Sequence, residues 1–72
     1  MPDWVSTRRR DIGENIRRAR LDGQLSQVQL GELIGRDHKT IHRYEAAISV
    51  PTLVDLLLIA DALDTPLTNL VR

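Results

Sequence analysis

A chain of 72 residues is the size of one small domain, able to bury only about 60% of its unfolded surface and too small to enclose a catalytic cavity easily. It holds no cysteine, which excludes a disulfide framework, a thiolate zinc site and a cysteine nucleophile, and its longest apolar run, Leu56 to Ala60, falls far short of the roughly 20 residues a membrane helix needs. Ten basic and ten acidic residues cancel overall, yet residues 1–45 carry nine cations against seven acids while residues 46–72 carry Arg72 against three acids, so charge is polarised along the chain. These features read as a single cytoplasmic domain over 1–72, with residues 1–6 expected as a flexible arm and no membrane partner, cofactor, metal or small-molecule ligand expected.

Helical periodicity recurs five times and strand alternation is nowhere sustained, so the expected fold class is all-α. Ile12, Ile16 and Ala19 recur at i, i+4, i+7 and predict a first helix from about Thr7 to Leu21, ending near Asp22-Gly23, with an arginine-rich polar face. Ser26 followed by Gln29 has the capping-box spacing, which opens a second helix burying Leu30, Leu33 and Ile34. Gly35-Arg36 breaks that helix, and Asp37 caps a third that runs to about Ala46. Thr52 with Asp55 repeats the capping box after Pro51, and Leu53, Leu56, Ile59, Ala60 and Leu63 are expected to form the wall of an aliphatic core. Thr65 is expected to cap a fifth helix with Pro66 in its first position, and Leu67, Leu70 and Val71 close the core.

The third helix decides what the chain can do. At about 100° per residue, Thr40, Ile41, Tyr44 and Ile48 share one side, a core stripe, while His38, Lys39, His42, Arg43 and the small Ala46 share the other. That second face offers only hydrogen-bonding and cationic groups, on an element whose width fits the major groove of DNA, where such donors read guanine O6 and N7. His38 and His42 also have the i, i+4 spacing of metal ligands, but no third ligand is evident, so groove-facing imidazoles are the expected reading. No side chain has a base and an orienting partner in reach, and Asp11, Glu14, Glu32, Asp55 and Asp61 fit ordinary polar helix faces, so no enzyme is expected.

The window Gln27–Ala46, QVQLGELIGRDHKTIHRYEA, resembles the helix-turn-helix of the phage repressor and Cro family of bacterial and phage transcription regulators. The resemblance extends from Ile12 to Val71 through Gly31, Gly35, the apolar positions Leu30, Ile34, Ile41 and Tyr44, then Pro51 and LVDLLLIADAL. It implies a compact five-helix domain in which helices two and three form the helix-turn-helix. It also implies sequence-specific binding of double-stranded DNA, with repression at a pseudo-palindromic operator by a homodimer as the expected mode. His38, Lys39, His42 and Arg43 would then read bases. Gln27 would position the DNA backbone, joined by Ser26, Arg20, Arg36 and a half-buried, supporting Thr40. The family pairing also matches Arg20 with Glu45 as scaffold.

The sequence departs from the family pattern at Arg36, where relatives usually carry an apolar residue, and at Ala47, where glycine is frequent; the loop 47–50 also lacks the Lys or Arg that relatives place on phosphates. Arg8, Arg9 and Arg10 could compensate as an N-terminal arm or simply form a solvated face. Val54 and Leu58, on one side of helix four, are expected at a dimer seam, the alternative being a wider core. Trp4 could staple the first helix or touch a partner. Two other readings stand beside the regulator: the same fold as a protein-interaction module of antitoxin type, and the DNA-binding part of a longer protein.

Overall fold

The computed structural model describes residues 2–72. Among them the chain forms five helices and no strand: α1 (Asp3–Asp22), α2 (Gln27–Ile34), α3 (His38–Glu45), α4 (Leu53–Ala62) and α5 (Leu67–Val71). No described helix is long and apolar enough to cross a membrane.

Local signals explain the short central helices. At the start of α2 the Ser26 hydroxyl accepts from the Gln29 amide (3.0 Å) and the Gln29 side chain accepts from the Ser26 amide (2.8 Å), so both orphan donors are met. Gly35 ends the helix in the left-handed region at φ +72°, where a side chain would be strained, and the next amide, that of Arg36, returns to the Gly31 carbonyl at 2.8 Å. Asp37 then accepts from the Lys39 amide at 3.0 Å and opens α3. A Cβ on Gly31 would stand 2.6 Å from the Arg36 carbonyl oxygen, so the turn closes only over a residue without a side chain.

The core is aliphatic apart from one phenol. Ile16, Leu30, Ile34, Ile41, Tyr44, Ile59, Ala60 and Leu70 are buried together, with Ile12, Ala19, Leu56, Ala62, Leu63 and Val71 packed against them. The helix periodicity located every one of these elements, but several boundaries and burials differ from expectation. α1 begins at Asp3, so residues 3–6 are helix rather than arm; Pro2 precedes it, and Asp3 favours the positive N-terminal end of the helix dipole. That opening turn holds Trp4 and Val5, and Val5 lies seven residues before Ile12, but Arg8 and Arg9 interrupt the apolar repeat between them.

Leu33 and Leu53, expected inside, are 60% and 64% exposed, and Ile48 lies in the loop after α3 rather than on its core stripe. Each belongs to the outer side of a short helix or to a loop, where the thin core leaves no wall to receive it. At α5 the cap is Pro66, one residue later than expected, and Thr65 instead accepts from the Asn69 side chain at 3.2 Å. At α4 Thr52 does accept from the Asp55 amide (3.1 Å), but the Asp55 carboxylate is engaged elsewhere, so the box is half made.

α1 crosses the end of α3 at Gly13, where a Cβ would lie 2.6 Å from the Glu45 carbonyl oxygen and 2.7 Å from that of Tyr44. Both neighbours are backbone and cannot swing aside. Gly13→Ala should therefore lower stability by about 1–3 kcal/mol, as overpacking does. Urea unfolding curves that superimpose on those of the unaltered chain would contradict this packing.

Candidate nucleic-acid interface

α3 is amphipathic in the expected sense. Ile41 and Tyr44 are buried, Thr40 is half-buried, and His38, Lys39, His42 and Arg43 are exposed together on the outer side. The Asp37 cap bond, accepted from the Lys39 amide, holds that carboxyl below the usual carboxylate range, with the nearby His38, Lys39 and Arg43 acting in the same direction. His38 Nδ1 stands 3.1 Å from an Asp37 oxygen, which orients the first ring of the face. Among the described residues no group of three metal-ligating side chains comes together.

Two polar nodes hold this helix from behind. In the first, Arg20 of α1 grips Glu45 with two hydrogen bonds, Nε to Oε2 at 2.7 Å and an Nη to Oε1 at 3.0 Å, and its other Nη donates to the Leu25 carbonyl at 2.8 Å. The Gln27 side chain donates to the same Glu45 at 3.2 Å. The expected scaffold pair forms, and two residues assigned to the DNA backbone from the sequence also carry bonds within the fold. Arg20 is 8% exposed, with its guanidinium engaged by Glu45 and the Leu25 carbonyl. The Gln27 side chain ties α2 to α3, which leaves its backbone amide, in the open first turn of α2, as the group placed for an anion.

The second node was not foreseen. Asp55, read from the sequence as a polar-face carboxylate, is 1% exposed. It accepts from the Tyr44 hydroxyl at 2.5 Å and from Arg36 through Nε and an Nη at 3.0–3.1 Å. Arg36 stands in the turn where the family pattern has an apolar residue. The departure is explained here: its guanidinium supplies the charge that lets a carboxylate sit in the core. Arg36 is bonded to Asp55 while its side chain stays 47% exposed. The signal for this node was the coincidence of an unusual cation in the turn with an acid early in α4.

Burial alone would raise the Asp55 pKa, but the hydrogen bonds from Arg36 and Tyr44 outweigh it and hold the carboxyl below its ordinary range. Burial, and after it the bond to Asp55, pushes the Tyr44 hydroxyl up to about 12. The second family departure is also accommodated. Ala47 takes the left-handed conformation at φ +59° that glycine would adopt without strain.

The remaining predicted residues lie on a different side. On α4, Leu53, Val54, Leu57 and Leu58 share one arc and are exposed, opposite buried Asp55 and Ile59. Sequence reasoning singled out Val54 and Leu58; Leu53 and Leu57 extend the same apolar strip.

The helix-turn-helix of α2, turn and α3, with its exposed cationic face, defines the class of domain. Residues 11–72 match the family described as a helix-turn-helix domain, and the chain belongs to that family. It is 43% identical over 53 residues to an uncharacterized HTH-type transcriptional regulator of Rickettsia prowazekii (strain Madrid E), and equally to one of Rickettsia conorii (strain ATCC VR-613 / Malish 7). Those matches cover 74% of this chain and 41% and 42% of the relatives, so the chain spans about two fifths of the length of the curated relatives it matches.

Removing Glu45 strands a buried guanidinium. Glu45→Ala should cost about 3–5 kcal/mol in urea unfolding, the range for breaking one side of a buried pair; an unchanged melting curve would show that the pair carries no structural weight.

The Asp55 node sets a pH window. A carboxyl with a depressed folded pKa stabilises above its unfolded value of about 3.9 and loses that contribution as pH falls through the folded value. The Tyr44 phenol, raised when folded, stabilises below about 10 and loses that contribution as pH rises towards 12. The stability gap between the unaltered chain and Asp55→Asn should therefore be full at neutral pH and close below about pH 4. A gap independent of pH in thermal melts would rule out an ionised Asp55.

Proposed function

We propose that this chain is a sequence-specific DNA-binding transcription regulator of the phage repressor and Cro type, acting as a repressor by occupying a pseudo-palindromic operator as a homodimer. The observation that carries the reading is the exposed face of α3: four adjacent donors, His38, Lys39, His42 and Arg43, on a rigid helix of the helix-turn-helix family. An eight-residue helix is about 12 Å long and presents these groups within the width of one major groove. In this reading the four side chains read base edges, while the first turn of α2, with the backbone amide of Gln27 and capped by Ser26, positions a phosphate. Thr40 supports the face from its edge. The names of the two rickettsial relatives agree with a regulatory role.

One such helix reads only a few base pairs, and a two-fold pair reading half-sites about 34 Å apart supplies the missing specificity. The apolar strip of Leu53, Val54, Leu57 and Leu58 on α4 supports a seam for that dimer. The same strip, with a formal net charge of zero, favours a second reading as a protein-interaction module. Selection of bound sites from a random duplex library separates the two. The regulator reading expects an enriched palindrome; a library that stays random, with an association insensitive to salt, points to the protein partner.

Arg43→Ala should cost about 1–3 kcal/mol in operator affinity and relax preference at one base pair. A loss shared equally by specific and nonspecific duplexes would reassign Arg43 to phosphate. Leu58, 39% exposed, can accept a charge without unfolding the domain, so Leu58→Glu should yield a folded monomer with weakened operator binding. A sedimentation profile that stays dimeric would move the seam elsewhere.

A further inference from the structure

The three consecutive arginines of α1 do not act alike. Arg8 donates to the Val71 carbonyl of α5 and stands 3.8 Å from Asp11, so it ties the two ends of the fold together. Arg10 is exposed and donates to the Thr7 hydroxyl at 3.3 Å. Arg9 is half-buried, and its Nε is shielded from solvent with no hydrogen-bond partner among the described residues. Such a donor is costly to leave unmet.

Ser6, Arg9 and Arg10 line a recess of about 240 Å³ whose far wall is Ala46 and Ala47. Two cations, one hydroxyl and two methyl groups surround it, with no carboxylate in the lining. A second recess, of about 280 Å³ between α1 and α5, sets Arg18 and Arg72 against Asp22 and Asp64, so its side-chain charges cancel. Of these two, the first has the composition of an anion seat.

Its position is also specific. Ala46 follows directly on α3 and falls on the side of His38, Lys39, His42 and Arg43. α3 is about 12 Å long and the major groove about 12 Å wide, so a helix lying across the groove brings both ends against the phosphate ridges. The start of α2 stands at this same C-terminal end of α3, where the Gln27 side chain meets Glu45. The loop 47–50 that follows has no Lys or Arg to add there.

We propose that Ser6, Arg9 and Arg10 form a seat for a DNA backbone phosphate at the C-terminal end of α3, supplying from α1 the cations that the following loop lacks. The site rests on the DNA-binding reading above. A purely structural alternative gives the same arginines another task, neutralising the negative end of the α3 dipole. The two differ in what they change: a phosphate contact adds to the salt dependence of binding, while dipole neutralisation adds only to stability.

The test is the slope of log affinity against log salt for a random duplex, measured with the unaltered chain, Arg9→Gln, Arg10→Gln, the double variant, and Arg18→Gln as a cation of α1 on the α5 side. Each phosphate contact contributes about 0.9 to the slope, so either single variant should flatten it by about 0.9 and the double by about 1.8, with Arg18→Gln unchanged. Should Arg9→Gln unfold, the exposed Arg10→Gln must still show its share. A slope equal to that of the unaltered chain in the Arg10→Gln and double variants, with or without a lower Tm, overturns the seat alone. If the unaltered chain shows no salt-dependent binding, the DNA-binding reading fails and the seat with it.

Discussion

The orientation of α3 depends first on the bond between Arg20 and Glu45. α3 has eight residues, too few to be a stable helix by itself in water, and only Ile41 and Tyr44 of it are buried as anchors. The bidentate grip of Arg20 adds direction, because a guanidinium fork meets a carboxylate in one plane. Gln27 joins the same carboxylate, so α1, α2 and α3 meet at one acid. Gly13 allows the close approach that brings α1 there.

The Asp55 node performs the matching task for α4. Through Tyr44 and Arg36 it links α4 to α3 and to the turn that precedes α3. The two nodes together hold α3 by consecutive residues, Tyr44 and Glu45, and leave its outer side free of structural duty. The division of labour along the molecule follows: cationic and imidazole groups on α3, with arginines of α1 beside its end, and an apolar strip on α4. The zero net charge of the chain conceals this separation.

Much of this was legible in the sequence, because the helix starts depend on short-range chemistry. Ser26 with Gln29, Asp37, and Thr52 each cap where their spacing said they would. The outward set His38, Lys39, His42 and Arg43 followed from helix geometry once Ile41 and Tyr44 were taken as core. What failed depends on the long-range environment. Leu33 and Leu53 are apolar in the right period, but a core of this size cannot cover them. Asp55 looked like a capping acid because its spacing from Thr52 is that of a box; only the tertiary placement of Arg36 and Tyr44 turns its carboxylate inward. Likewise the bond of Gln27 to Glu45 depends on α2 and α3 being brought together, and the repeat that Val5 shares with Ile12 is interrupted by Arg8 and Arg9, which hides the first turn of α1.

Two buried nodes hold α3 with its outer side open, the side that the proposed function sets against DNA. Amide and side-chain NMR shifts on titrating the isotope-labelled chain with a selected duplex test this arrangement most directly. The account predicts the largest changes at His38, Lys39, His42 and Arg43 and in the first turn of α2, with the Arg20 and Asp55 nodes intact. Changes concentrated on Leu53 to Leu58, or broken node signals on binding, would contradict it.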